Sequence, residues 1–533
     1  MNKKFLNRGN IHIINDIERI ELPPEDIKNG INVFKDFFVY KNSGDISIYD
    51  RNCDHANGKL VKNGNEIICP LHEWCFDYEN GSYKNVNKKK HPIEYIVDSN
   101  GKICFNISRR KPSLPKLGDS KEISISFVTH AFIIIESKEF KFAMDPWAIG
   151  PAFVGGWWLA TPPIKTWEKK LNECDFIYIS HNHPDHLNRH TLKLVRKDMI
   201  FIIPNFISKS VEKLLISIGF INIVKMEFQK YYQYENTNLI LTLLKSADFR
   251  DDSGIYFTYG SFSLFSAVDA NNINNNEFPD ETTLFLSSFA GGASGYPLCH
   301  DHLEENEKSL IIKRNRKSIS TIVKKNVKSI NAKYFMPYAG FFKELAKRDK
   351  YIKTNNCKNS IDDYEQSLKN YNILNVLTEN RFNFIGENLI SSEKLEIDEK
   401  NDNPEKWIEA NIKVQFSSNL EIIKYFEKSN FQSNLTLFLL LTNDDFSKVV
   451  KSYKINFKNK IPIVINDDES RIHNYQDDEN NLLSIKVREH SFYYLINNRL
   501  PWENLSIGFQ CRIDRKPDLY NNQFWYHFTN IYF

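Results

Sequence analysis

FIYISHNHPDHLN, residues 176–188, decides how the larger part of this chain is read. Phe176 to Ile179 form a short apolar run with the density of a buried strand. That run passes into a loop holding His181, His183, Asp185 and His186. Where strands alternate with helices, the carboxyl ends of the strands are where ligand-binding side chains collect. Three imidazoles and a carboxylate in six residues is a donor density suited to a metal. Asp185 and His186 together read as ligands to a second metal position, or Asp185 as a catalytic proton carrier or water anchor. Working outward, ISISFVTHAFIIIES (123–137) reads as one long apolar strand, paired by hairpin to EFKFAMD (139–145). Downstream, GIYFTYG (254–260) and SFSLFSAVD (261–269) form another hairpin. Strands here alternate with helices expected near 190–197 and 304–325, which makes this part a layered α/β domain.

A second pair of loops lies nearer the start, RNCDHANG (51–58) and CPLHEWCFDYENGS (69–82). They present Cys53 with His55 and Cys69 with His72. A Rieske-type [2Fe–2S] cluster needs this composition, two thiolates on one iron and two neutral imidazoles on the other. Zinc also accepts two Cys and two His. Zinc fingers, however, place a Cys pair before a His pair, whereas each loop here is mixed. The spacing therefore favours a one-electron carrier. Cys75 is a spare thiol in the second loop and the first loop has none, so no disulfide is expected between them. The loops are similar to the oxygenase type, with a potential toward the low end of roughly −150 to +300 mV. Lys88-Lys89-Lys90-His91 follows closely; a solvated turn explains it better than a docking face for an acidic donor.

Composition sets the limits around these motifs. The 533 residues suffice for two to four domains, and 14% aromatic content, with 39 Phe and 25 Tyr, suits sheet-rich cores. Lys and Arg total 70 against 67 acidic residues, a balance that gives no support to nucleic-acid binding. Eight scattered cysteines in a chain this long suit a reducing compartment. No apolar run is long enough to insert in a membrane, the longest, Leu435–Leu441, reading as a buried strand. A cytoplasmic protein is expected. SRRKPSLPKLGDS (108–120) combines charge, prolines and glycine and reads as a linker. The expected order is a Rieske domain over 1–107, the linker over 108–120, a catalytic domain over 121–355 and a C-terminal region over 356–533 packed on it. The fold class is multidomain α+β, beginning with an antiparallel β domain.

The His-rich loop and its preceding strands resemble the metallo-β-lactamase fold, which implies an αββα sandwich with a C-terminal α/β extension. The resemblance also implies further ligands from later loops. Asp269, closing a buried strand, matches one of them. Where another relative has a His, LLKSADFRDD (243–252) offers Asp248 instead. Two histidines and a carboxylate, His181, His183 and Asp248, would suit mononuclear non-haem iron, with zinc possible as an alternative. His300 and His302 open an acidic helix and read as surface histidines.

Hydrolysis consumes no electrons, so a one-electron carrier beside a hydrolase-like metal site points to oxygen activation. MDPWAIGPAFVGGWWLATPP (144–163), SSFAGGASGYP (287–297), MPYAGFF (336–342), DKYIKTNN (349–356) and IGFQCRIDRKPDLYNNQFWYHF (507–528) join IYISHNHPDHL (177–187) in a wider resemblance. Together they resemble the CMP-N-acetylneuraminate monooxygenases. That resemblance implies oxygen-dependent hydroxylation of the N-acetyl group of a CMP-sialic acid, or of a related N-acyl sugar. It also implies electrons from NAD(P)H through an external electron-transfer protein and reductase. The chain has no G-x-G-x-x-G after a strand, which agrees with an external donor. Two departures bear on substrate: the family has a His at the SADF segment and an acidic residue at Ser288. Gly291, Gly292 and Gly295, Arg512 and Arg515, and Trp157-Trp158 are candidate substrate contacts, each with a structural alternative. The competing reading is a metal-dependent hydrolase whose cluster is structural or redox-sensing. Flavo-diiron reductases share the fold but have a Glu where His183 stands.

Overall fold

A computed structural model describes residues 4–54, 60–63, 66–68, 74–84, 88–246, 250–270, 278–399, 402–429, 431–459, 461–467, 482–516 and 521–529. They pack into two compact units. One comprises Met1–Asp119, Glu227–Phe285 and Val327–Lys333, the other Ser120–Met226, Leu286–Asn326 and Tyr334–Phe533.

In the first unit, the hairpin Phe37–Asn42 and Asp45–Asp50 supplies two cores at once. Side chains on a strand alternate faces. Phe37, Val39 and Ile48 therefore enter a core with Ile103 and Phe105, while Phe38 and Tyr49 enter another with Cys53, Leu60, Ile67 and Phe76. Each such buried apolar side chain contributes about 1.5–3 kcal/mol. The strand Ile103–Ser113 pairs antiparallel with His12–Leu22 along its whole length. Residues 108–113, expected to begin a linker, are thus the end of that strand. Pro112 is tolerated because the strand on its other side, Tyr95–Val97, pairs only with residues 103–105. The same unit carries an antiparallel run of Phe5–Asn10, Lys230–Tyr234, Leu239–Lys245, Ser253–Tyr259 and Phe262–Ser266. The expected hairpin over 254–269 is its last pair.

The second unit holds an eight-stranded mixed sheet. Its order is Ile223–Met226, Ile200–Pro204, Phe176–Tyr178, Lys141–Met144, Phe132–Ser137, Glu122–Thr129, Arg381–Ile385 and Asn388–Glu393. The first four run parallel and the rest pair antiparallel. Residues 123–137 are not one strand. They fold into a hairpin with Thr129 opposite Phe132, and His130 at the turn has φ 47°. A left-handed turn residue is usually Gly or Asn. With neither present, the apolar run conceals the turn.

Helix Glu305–Ile330 lies where a helix was expected, whereas the one near 190 is only Arg189–Leu192. The C-terminal part builds a five-stranded sheet, Ile463–Asp467, Val449–Asn456, Thr436–Thr442, Leu482–Arg488 and Cys511–Lys516. Thr436–Thr442 is wholly buried, as its apolar run suggested. Phe426, Phe492, Trp502 and Phe524 pack in the same core. The chain is α+β, with antiparallel N-terminal sheets, a mixed eight-stranded sheet and a C-terminal α/β part built on the five-stranded sheet. No helix among the described residues is long and apolar enough to cross a membrane.

Candidate active site

Two neighbouring parallel strands of the second unit, Lys141–Met144 and Phe176–Tyr178, end side by side and deliver Asp145 and Ser180 to one edge. Asp145 is fully buried with φ 44°, a conformation Asp tolerates better than most residues. Its Oδ1 accepts from the Ser180 amide at 2.8 Å. Its Oδ2 accepts from Ser180 Oγ at 2.7 Å and lies 2.9 Å from His186 Nδ1. The Ser180 hydroxyl donates its one hydrogen to Asp145, so its oxygen accepts from His181 Nδ1 at 2.9 Å. One buried carboxylate thereby fixes two imidazoles with their Nε2 lone pairs facing away from it, the arrangement that prepares histidines to bind metal. In the sequence Asp145 read only as the end of a hairpin strand.

Those lone pairs face two groups of donors. In the first, Asp185 Oδ2 lies 3.0 Å from His130 Nε2 and 3.3 Å from His186 Nε2, with all three residues buried. His130 Nδ1 and Asp185 Oδ1 are buried without a hydrogen-bond partner among the described residues. Burial alone would push the Asp185 carboxyl up, but His186 and His130 outweigh it and hold the group well below the usual carboxylate range. In the second group, His181 Nε2 lies 3.0 Å from His183 Nδ1. Ligand atoms about 2.1 Å from a metal and near a right angle apart are separated by roughly 3.0 Å. Both groups have that spacing and fit a first-row metal. The expected site used His181 and His183 for one metal and offered Asp185 and His186 for a second position; His130 joins those two there. His130 was missed because its signal was a turn hidden inside an apolar run. Glu503, whose Oε2 lies 3.3 Å from His183 Nε2, carried no sequence signal at all.

The remaining candidates divide. Asp248 lies outside the described residues, and Asp269 follows strand Phe262–Ser266 in the first unit, half-buried. Trp157 and Trp158 are core residues, with Trp157 stacked on Phe342 at 3.5 Å between ring centroids. Arg512 donates to the Cys511 carbonyl and lies over the Phe446 ring. His300 is buried against Tyr296, not on the surface as expected, while His302 is exposed.

Of the expected cluster ligands, Cys53 is described and fully buried in an apolar core; His55, Cys69 and His72 lie outside the described residues. The donor chemistry suits the cluster, since a buried thiol precedes a Cys-x-x-His loop. The basic run behaves unevenly. Lys88 and Lys89 are exposed, but the Lys90 side chain is 2% exposed and holds the first cluster loop. Its Nζ donates to the Asn52 carbonyl at 2.7 Å and meets Asp50 and Asp54 at 3.0 and 3.5 Å. Tyr83 Oη donates to Asp54 Oδ2 at 2.9 Å and accepts from the Asp54 amide at 3.1 Å.

With that geometry described, comparison with known proteins is informative. Residues 15–99 match the Rieske [2Fe-2S] domain family. The whole chain is similar to a named group of enzymes. The cytidine monophosphate-N-acetylneuraminic acid hydroxylase of Xenopus laevis is 28% identical over 95% of this chain and 91% of its own length. The hydroxylase of the same name from Macaca mulatta is 27% identical over 94% of this chain and 91% of its own. Among solved structures, CmlA, a diiron beta-hydroxylase from Streptomyces venezuelae, matches 52% of this chain and 55% of its own, at 15% identity and a TM-score of 0.32.

Proposed function

We propose that this chain is a Rieske-dependent monooxygenase that hydroxylates the N-acetyl group of a CMP-linked sialic acid or a related N-acyl sugar. The observation that carries the reading is the pairing, in one chain, of a Rieske domain with the buried donors His130, Asp185 and His186 beside His181 and His183. Similarity to the CMP-N-acetylneuraminic acid hydroxylases over nearly all of the chain supports the substrate class.

His181 and His183 would hold one iron and His130, Asp185 and His186 a second. Asp248 and Asp269 stay as proposed carboxylate ligands on sequence grounds. When bound, non-haem iron would supply open positions for dioxygen, and the cluster would supply electrons. The chain's own residues do the rest. Asp145 keeps His181 and His186 in the ligating tautomer through Ser180 and a direct bond. Burial of Asp145 and His186 excludes water from the rear of the centre. Asp185 Oδ1, buried and without a hydrogen-bond partner among the described residues, is available to accept a proton in its alternative role as proton carrier. Cys53, His55, Cys69 and His72 would hold the electron carrier. An external NAD(P)H-linked donor in the cytoplasm reduces it.

The test is anaerobic purification with iron, zinc and sulfide analysis and an EPR spectrum of the reduced cluster, then turnover with CMP-N-acetylneuraminate, reductant and oxygen. Iron at both sites and a product one oxygen heavier are expected. Zinc in the histidine site, with turnover that needs neither oxygen nor reductant, would select the hydrolase reading instead.

A further inference from the structure

The second donor group has a feature that its two histidines do not explain. His183 Nε2, turned away from His181, lies 3.3 Å from Glu503 Oε2, and Glu503 belongs to the C-terminal region, 320 residues along the chain. We propose that Glu503 is a positioning residue for the metal centre, fixing the tautomer of His183 so that its Nδ1 ligates. This rests on the reading of His181 and His183 as metal ligands.

A carboxylate accepts and never donates, so Glu503 holds the proton of His183 on Nε2 and leaves Nδ1 with a lone pair. The chain Asp145–Ser180–His181 independently leaves a lone pair on His181 Nε2. Two nitrogen lone pairs then face each other across 3.0 Å, an arrangement that repels unless a cation lies between them. Without Glu503, His183 can move its proton to Nδ1 and satisfy itself by donating to His181. The site would then be a closed imidazole pair and not a metal site.

The placement of Glu503 is built in. It opens helix Glu503–Ile507, which packs between Trp502 in the C-terminal core and the loop 152–157. Trp157 Nε1 donates to the Ile507 carbonyl at 3.0 Å, tying that helix to the loop. At the crossing, a Cβ on Gly156 would lie 2.1 Å from the Gly508 carbonyl oxygen, and one on Gly508 would lie 2.1 Å from that of Phe153. Only two glycines permit this approach. The loop is itself strained, with Phe153 at φ 48° and Val154 at φ 56°. A β-branched residue in this region costs on the order of 1–3 kcal/mol and persists where surrounding structure requires it. That turn places the Phe153 ring against His183 at 5.6 Å between ring centroids. His183 is thus held on one side by Phe153 and at Nε2 by Glu503. The C-terminal region completes the metal centre and does not merely cover it.

The test uses the full chain in three forms: wild type, Glu503→Gln and Glu503→Ala. Each is stripped of metal and titrated with Co(II), whose visible absorption reports ligand number, against a competing chelator. The proposal expects the affinity of one of two Co(II) ions to fall 10–100-fold in Glu503→Ala, with a changed absorption band. Glu503→Gln, which keeps an acceptor but loses the charge, should fall between. Lys486→Gln, a half-exposed position on strand Leu482–Arg488, serves as a surface control. Affinity and spectrum within twofold of wild type in both Glu503 variants, with melting unchanged, overturn the proposal. A wild-type protein that binds no Co(II) at all overturns the underlying metal-site reading instead, so the two failures are distinct.

Discussion

Asp145→Asn is the sharpest probe of how the centre is organised. The substitution is isosteric, and Asn tolerates the left-handed φ of 44° at this position, so backbone strain does not confuse the result. Asp145 accepts three hydrogen bonds, from the Ser180 amide, Ser180 Oγ and His186 Nδ1, at 2.8, 2.7 and 2.9 Å. Asn has one oxygen and must choose. If its NH2 faces the Ser180 amide, two donors oppose each other in a buried site, which costs about 1–3 kcal/mol. If its NH2 faces His186, that imidazole must shift its proton to Nε2, which points at Asp185. The stability cost is then smaller, but the ligating lone pair is gone, at about 10–100-fold in metal affinity, or about 1.4–2.7 kcal/mol. Either orientation also weakens the remaining bonds by removing the charge. The expected sum is about 2–4 kcal/mol, divided between folding and metal binding. Urea denaturation of metal-free protein reads the first share, and chelator competition reads the second. An Asp145→Asn protein with wild-type urea midpoint and wild-type metal affinity would refute the argument that Asp145 orients the histidines.

Three further perturbations follow from the same structure. Lys90→Met should leave Asp50 and Asp54 without their buried cation and disfavour reduction of the cluster by on the order of 1 kcal/mol, about 40 mV for one electron, read by EPR-monitored redox titration; Lys90→Arg should stay near wild type. Gly508→Ala should cost about 1–3 kcal/mol or more, because the added Cβ would lie 2.1 Å from the Phe153 carbonyl oxygen; an unchanged urea midpoint would contradict the close crossing. Glu136 is partly buried, which raises its carboxyl, but bonds to Lys170 and Lys141 outweigh burial and set it below the ordinary value. Its folded value is depressed, so its stabilisation is present above the unfolded value of about 4.5 and is lost as pH falls through the folded one. Glu136→Gln should therefore lower the urea midpoint near neutral pH, by an amount that shrinks toward about pH 3.

What was legible in the sequence was what lies close together along it. His181, His183, Asp185 and His186 occupy six residues, so their donor density could be read before any fold was known. The two Cys–His loops announced themselves in the same way, and the buried strand 436–442 was visible as an apolar run. His130, Asp145 and Glu503 were not legible, for three different reasons. His130 sits at a turn with no turn residue to mark it. Asp145 acts through Ser180, a partner fixed only by the pairing of parallel strands. Glu503 reaches His183 across 320 residues, a contact that no local pattern encodes. The linker expected at 108–120 failed at its first half because charge and Pro112 look like a loop, while pairing with His12–Leu22 decides otherwise. Lys90 looked like part of a solvated turn, and only the fold brings Asp50 and Asp54 to it.

The central claim is that electrons stored in the cluster are spent on dioxygen at the histidine-rich centre to oxidise an N-acyl sugar. A single turnover under 18O2 tests it most directly. Protein carrying a reduced cluster and iron(II), which together supply the two electrons, is mixed with CMP-N-acetylneuraminate and 18O2, quenched, and the sugar weighed by mass spectrometry as the cluster's EPR signal is followed. The expected product bears one 18O atom and forms in step with oxidation of the cluster. Unmodified sugar, or oxygen derived from water while the cluster stays reduced, would contradict it.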